Sequence, residues 1–150
     1  MDAKPIGLLL VDDNDDDIYI AQQALADVKL IKIVGVARNG EEAMAYLRRE
    51  HGYKDAQEPD MMLLDINMPK TNGIEVLLEI KADSALRHLP VIVYTTGQRD
   101  EDILRAYVAG ACSYIPKPVD FRELKDLMKN LELYWTRVSR IPGRFHNQLR

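Results

Sequence analysis

One hundred and fifty residues fit a single domain of ordinary size and can bury a proper core. With 47% hydrophobic and 29% charged residues the composition excludes a disordered chain, and 24 acidic against 20 basic residues (net charge −4) lack the basic footprint of a dedicated nucleic-acid binder. The single cysteine, Cys112, leaves no internal disulfide, the N-terminus has no basic-then-apolar leader, and no apolar run is long enough to cross a bilayer, so a cytoplasmic protein is expected.

Ile6 to Val11 is a continuous apolar run that ends in Asp12-Asp13. Asp15-Asp16-Asp17 follow, and Ile18, Ala21, Ala24, Leu25 and Val28 then recur at helical spacing, which gives strand, acidic loop and helix. Ile31 to Ala37 is short and β-branched, a second strand. Asn39-Gly40 is a turn signal before a helix marked by Ala43, Met44 and Leu47. His51 to Pro59 reads as a surface loop. Met61 to Leu64 is the third strand, running into Asp65 and a proline-turned loop, Ile66 to Pro69. Gly73 opens a helix with Ile74, Leu77, Leu78 and Lys81 on neighbouring turns. Val91 to Tyr94 is a fourth strand that ends in Thr95-Thr96, and Ile103, Leu104, Tyr107 and Val108 form the stripe of the next helix. Ala111 to Ile115 is a fifth strand closed by Pro116-Lys117-Pro118. Pro116 lacks an amide donor, which places this strand on a sheet edge. From Asp120, placed as an N-cap with Glu123 as its partner, one helix of about 28 Å runs to about Ser139, at about 1.5 Å per residue.

Five strands alternating with helices imply an α/β fold: a doubly wound five-stranded parallel sheet in the flavodoxin-like order 2-1-3-4-5, with an extended C-terminal helix. Residues 1–140 are expected to form this one domain and 141–150 a short basic tail, with no output domain.

In such a sheet the residues after the strands, Asp12-Asp13, Asp65, Thr95 and Lys117, share one edge, and the first and third strands flank the switch point where ligands bind. Three carboxylates held close repel one another and raise each other's pKa values; a divalent cation relieves this, and hard oxygens suit Mg²⁺. The plainer alternative for Asp12 to Asp17 is a solvated acidic loop at a helix N-terminus, which explains Asp15 to Asp17 well but not Asp12-Asp13. A carboxylate beside a cation, a hydroxyl and an ammonium has the parts for phosphoryl transfer. Asp65 attacks phosphorus to form an acyl phosphate, and Lys117 and Thr95 hold the other oxygens.

At this point the residues resemble the receiver domains of two-component response regulators, over roughly residues 6 to 135. The features in order are Asp12-Asp13, the Asp65-Ile66-Asn67-Met68-Pro69 block with Gly73, then Thr95, Tyr114 and Lys117-Pro118. The resemblance implies a signalling protein rather than an enzyme. It implies that Asp65 is the phosphoacceptor and that Asp13 binds Mg²⁺ directly while Asp12 does so mainly through water. The Asn67 backbone carbonyl completes the protein ligands, Lys117-Pro118 is a cis peptide, and Thr95 and Tyr114 form a switch pair that rearranges the last two strands and their helices. One departure is Thr96, where many members carry a smaller residue, often alanine.

Leu124, Leu127, Leu131, Tyr134 and Trp135 make the apolar stripe of the last helix wider than covering one sheet requires. They are either core or a homodimer seam shared with the neighbouring helix and edge strand. The Leu133-Tyr134-Trp135 segment, with Ile141-Pro142 beyond it, also looks like the tails of regulators paired with bacterial phytochromes. The implied partner is a sensor histidine kinase, a bacterial phytochrome in the narrower resemblance, with no nucleic acid and no membrane. Two alternatives stay open: a haloacid-dehalogenase-like phosphatase with Asp13 as nucleophile and Asp15 as general acid, and a pseudo-receiver that only docks partners.

Overall fold

The computed structural model describes residues 4–97 and 99–142. The elements in chain order are β1 (Ile6–Val11), α1 (Asp15–Leu25), β2 (Ile31–Ala37), α2 (Gly40–Arg48), β3 (Met61–Leu64), the two-residue strands β4 (Asn67–Met68) and β5 (Thr71–Asn72), α3 (Gly73–Ala82), β6 (Val91–Thr95), α4 (Asp100–Val108), β7 (Ser113–Pro116) and α5 (Phe121–Leu133). The main sheet is parallel, in the order β2-β1-β3-β6-β7. Once the β4–β5 ribbon is set aside, this is the expected doubly wound order.

The unbroken apolar runs follow from burial on both faces. Successive strand side chains point to opposite sides. Leu9, Val11, Met62, Leu64, Val91 and Val93 pack on one face with residues of α2 and α3, whereas Leu8, Leu10, Met61, Leu63, Ile92 and Tyr94 pack on the other with α1 and α5. Each large aliphatic side chain so buried contributes about 1.5–3 kcal/mol. The two layers therefore fix the register that sets the strand ends level with one another.

Three devices then aim the strand ends. The ladder continues past the strands, with the Asp12 amide donating to the Ala37 carbonyl at 3.0 Å and the Asp65 amide to the Val11 carbonyl at 2.9 Å. Met68-Pro69-Lys70-Thr71 closes the β4–β5 ribbon, which the sequence presented only as a loop. Gly73 packs so tightly that a Cβ there would lie 2.5 Å from Ile66 Cα and 2.9 Å from the Asp65 carbonyl oxygen. Only glycine lets α3 begin directly beneath the loop that carries Asp65.

Several expectations are corrected. The fifth sheet strand begins at Ser113 and includes Pro116, which is tolerated because β7 is an edge. In α4 the side turned to the core is Ala106, with Ala109 just beyond the helix, while Leu104, Tyr107 and Val108 face outward, so that stripe marks the helix but not its packing. The last helix is not uniform to Ser139: α5 stops at Leu133 and Tyr134–Val138 is a π turn. There the Thr136 hydroxyl donates to the Glu132 carbonyl at 2.6 Å and the Ser139 amide to the Tyr134 carbonyl at 2.7 Å, so a threonine hydroxyl takes the acceptor that its own amide would otherwise use. Glu132 also accepts from the Leu30 amide at 2.7 Å, and Ile141 is buried against the α1–α5 face, which ties the end of this helix down. Asp120 caps α5, accepting from the Arg122 amide. The basic tail from Gly143 onward lies outside the described residues.

Candidate functional site

Asp65, Thr95 and Lys117 leave three adjacent strands and meet. Asp65 and Thr95 are buried, 6% and 0% exposed. The Thr95 hydroxyl donates to Asp65 Oδ1 at 2.8 Å, and the Asn67 amide donates to the same oxygen at 2.8 Å. Asp65 Oδ2 faces the other way and accepts from Lys117 Nζ at 3.1 Å. Each carboxylate oxygen thus has its own donors, so the side chain is held without freedom to rotate.

The lysine is the centre of charge. Its side chain is 8% exposed, and Nζ donates to Asp12 Oδ2 at 2.7 Å and Asp17 Oδ2 at 2.9 Å as well as to Asp65. The Tyr94 ring lies 5.6 Å from Nζ as an apolar floor. Burial works against the ammonium, but the bonds to Asp12 and Asp17 and the charges of Asp65 and Asp12 outweigh it, so its pKa stands above the ordinary lysine value. Burial also pushes the Asp12 carboxyl up, against the bonds from Lys117 and the Asn14 amide. One cation shared among three carboxylates does not fully compensate the most buried of them. The Tyr94 phenol is pushed up to about 12, first by burial and then by the surrounding carboxylates, against the Lys117 charge.

Asp12, Asp13 and Asp65 can each bring a carboxylate oxygen within 4.8 Å of the others. Asp13 is exposed where Asp12 is not, so the group opens to solvent on one side. Three hard oxygen donors with one open face match an ion that keeps part of its water. Lys117, bonded to Asp12 and Asp65, already relieves part of the crowding that a divalent cation was expected to relieve.

The Asn67 side chain, to which the sequence assigned no role, donates from Nδ2 to Thr95 Oγ1 at 3.1 Å and to the Thr96 carbonyl at 3.0 Å. Thr96 itself is exposed. Tyr114 packs partly buried against the α2–α3 face, and its hydroxyl donates to the Gly97 carbonyl at 3.1 Å, on the loop that follows Thr95. Burial, then the charges of Asp102 and Asp65, raise its pKa. The Lys117–Pro118 bond is trans, like every peptide bond among the described residues, which corrects the expected cis bond. The usual trans preference of an X–Pro bond, about 0.5–1 kcal/mol, meets no opposition, since Lys117 already reaches its three carboxylates and its amide reaches the Thr95 carbonyl at 2.8 Å.

Asp17 is the site residue that the sequence reading assigned to a solvated loop. A signal existed: helical side chains lean toward the helix N-terminus, and α1 begins at the end of β1, so a first-turn side chain is aimed back at the strand ends. Asp15 does lie outside, paired with Arg38. That disfavours the phosphatase alternative, in which Asp15 would act as general acid. Of the residues weighed as core or seam, Leu124 is 3% exposed and packs on the α1–α5 face of the sheet. Leu127, Leu131 and Trp135 are partly buried against the α1–α5 face, and Tyr134 is 48% exposed.

Residues 8–129 match the response regulator receiver domain family. The response regulator Rcp1 of Synechocystis is 31% identical over 139 residues, covering 93% of this chain and 95% of Rcp1. The crystal structure of the phosphorylated cyanobacterial phytochrome response regulator RcpA is 40% identical with a TM-score of 0.84, covering 92% of this chain and 99% of that one. The Mn²⁺-bound form of Rcp1 is 32% identical with a TM-score of 0.80, over 92% and 99% of the two chains. No helix among the described residues is long and apolar enough to cross a membrane. The matches favour neither the phosphatase nor the docking-only alternative: the chain belongs to the response regulator receiver domain family, the phosphoryl-accepting proteins of two-component signalling.

Proposed function

We propose that Asp65 is the phosphoacceptor of a Mg²⁺-dependent receiver charged by a sensor histidine kinase. The observation that carries this is the buried Asp65 carboxylate, pinned by Thr95 and Asn67 at one oxygen and by Lys117 at the other. A carboxylate oxygen attacks phosphorus as the bond from phosphorus to the donor breaks, leaving an acyl phosphate on Asp65. The Lys117 ammonium and the Thr95 hydroxyl, already at the carboxylate, turn donors to the incoming phosphoryl oxygens. Asp12, Asp13, Asp65 and the Asn67 backbone carbonyl would hold Mg²⁺; the three carboxylates stand together, and the similar Rcp1 has a Mn²⁺-bound form. When bound, the ion supplies positive charge against the phosphoryl oxygens.

The Thr95–Tyr114 pair then reads the change. If Thr95 gives up Asp65 for the phosphoryl group, the Asn67–Thr95 bond and the adjoining loop to Gly97, where Tyr114 is anchored, shift with it. The new charge thereby biases the face made of α4, β7 and α5. Similarity to RcpA favours a phytochrome as the kinase, and a cytoplasmic setting accords with that role.

Intact-mass analysis after incubation with acetyl phosphate tests the reading. One phosphoryl adduct is expected with Mg²⁺ and none with chelator, stable to acid, labile to base and mapped to the segment holding Asp65. Uptake that ignores Mg²⁺, or that maps to a serine or threonine, would refute it.

The exposed side of the C-terminal helix supports a homodimer seam. Tyr134 and Trp135 meet edge to face, with ring centroids 5.2 Å apart, and offer an aromatic anchor partly outside the core. Trp135→Ala should shift sedimentation toward monomer. A dimer of unchanged stability in the folded variant would remove this seam.

A further inference from the structure

We propose that Asp17 is a positioning residue for phosphoryl transfer, holding the Lys117 ammonium from outside the group of carboxylates that would share a cation. The inference rests on the reading of Asp65 as phosphoacceptor. An ammonium has three N–H donors, and Lys117 spends them on Asp12, Asp17 and Asp65 at 2.7, 2.9 and 3.1 Å. Two of these acceptors have other duties: Asp65 is to be the nucleophile, and both Asp12 and Asp65 belong to the cation group. Asp17 does not. It is the acceptor that Lys117 can keep while the others are drawn to the ion and the phosphoryl group.

The backbone makes Asp17 a firm anchor. Its own amide donates to the Asn14 cap at 3.0 Å, which fixes the first turn of α1. Its side chain is 35% exposed, so it is reached from the solvent side while Nζ is not. The bond from α1 on one side and the Tyr94 ring 5.6 Å away bound the ammonium on two sides. Without Asp17 the lysine would fall back wholly on Asp12 and Asp65, tying up the nucleophile's lone pairs and a cation oxygen at once.

A purely electrostatic role predicts the opposite sign. Removing a negative charge beside Asp65 should ease the approach of an anionic donor and quicken phosphorylation. Positioning predicts slowing, in the maximal rate rather than in half-saturation by the donor.

The test follows adduct formation with acetyl phosphate at saturating Mg²⁺ in the full chain. Asp17→Ala should lower the maximal rate about 10-fold with half-saturation changed by less than about 2-fold, short of the roughly 10²-fold cost of a full misplacement because Asp12 and Asp65 still hold the lysine. Asp17→Asn keeps an acceptor without the charge and should lie within about 3-fold of the unaltered protein, and its folding controls for any instability of the alanine variant. Maximal rates in both variants equal to or above that of the unaltered protein would overturn the proposal, as would Asp17→Asn falling as far as Asp17→Ala. Should the unaltered protein take no phosphoryl group, the reading of Asp65 itself fails, which is a separate and recognisable result.

Discussion

Asp65→Asn is expected to abolish phosphoryl uptake while leaving the fold in place. Asparagine has the shape of aspartate, and its carbonyl oxygen can still accept from the Thr95 hydroxyl and the Asn67 amide, which now meet Oδ1 at 2.8 Å each. What is lost is the anionic lone pair that attacks phosphorus. The amide nitrogen would face Lys117 Nζ, donor against donor, across the present 3.1 Å contact. That mismatch costs about 1–3 kcal/mol at a buried position, and loss of one of three crowded carboxylates offsets part of it. Intact mass should therefore show no adduct under conditions that fully label the unaltered protein, and circular dichroism should show an unchanged spectrum. Residual labelling above a few per cent in the folded variant would mean that another side chain accepts the group.

Lys117→Met should be the second large effect, and it should appear in stability as well as in rate. The lysine is the common counter-ion of Asp12 and Asp65, with side chains only 2% and 7% exposed, and of Asp17. Removing one member of a buried ion pair costs about 3–5 kcal/mol, because the partner charges stay behind. Asp17 is one-third exposed and screened, so about 3 kcal/mol is the expected loss without Mg²⁺, or about 6–12 °C in melting temperature for a chain of this size. The rate of phosphorylation should fall by about 10²–10³, the usual consequence of deleting one donor to developing charge.

The pH dependence of that loss has a definite sign. Burial already raises the Asp12 carboxyl above its ordinary value of 3.8, against the bond from Lys117. Without the lysine it rises further. A carboxyl raised on folding favours the folded state at low pH, and that advantage is lost as pH climbs through the folded-state value. The deficit of Lys117→Met against the unaltered protein should therefore be smallest below about pH 4 and widen toward neutrality, and Mg²⁺ should narrow it at pH 7. Calorimetry at pH 4 and pH 7, with and without Mg²⁺, measures both. A deficit independent of pH would remove the buried carboxylates as its cause.

Taken alone, the sequence determined the layered architecture and which residues stand just past the strands. Unbroken apolar runs at Ile6 to Val11, Met61 to Leu64 and Val91 to Tyr94 suit strands covered on both faces, and their alternation with helices places the residues just beyond them on one edge. Where the periodicity was one-sided it said less. The apolar residues of α4 look like a core stripe yet face outward, because period alone does not tell which side the sheet lies on. Nor does it reveal the π turn at Tyr134–Val138, set by one threonine hydroxyl competing for a carbonyl.

Tertiary structure alone decided how the charges are shared. Asp15, Asp16 and Asp17 are equivalent as letters, but one turn of α1 sends Asp15 out to Arg38 and Asp17 in to Lys117, 100 positions away along the chain. The trans bond at Lys117–Pro118 and the Asn67 side-chain link to Thr95 belong to the same class. Local pattern fixes what a residue can offer. Which partner accepts it depends on distances that close only when strands remote in sequence lie side by side.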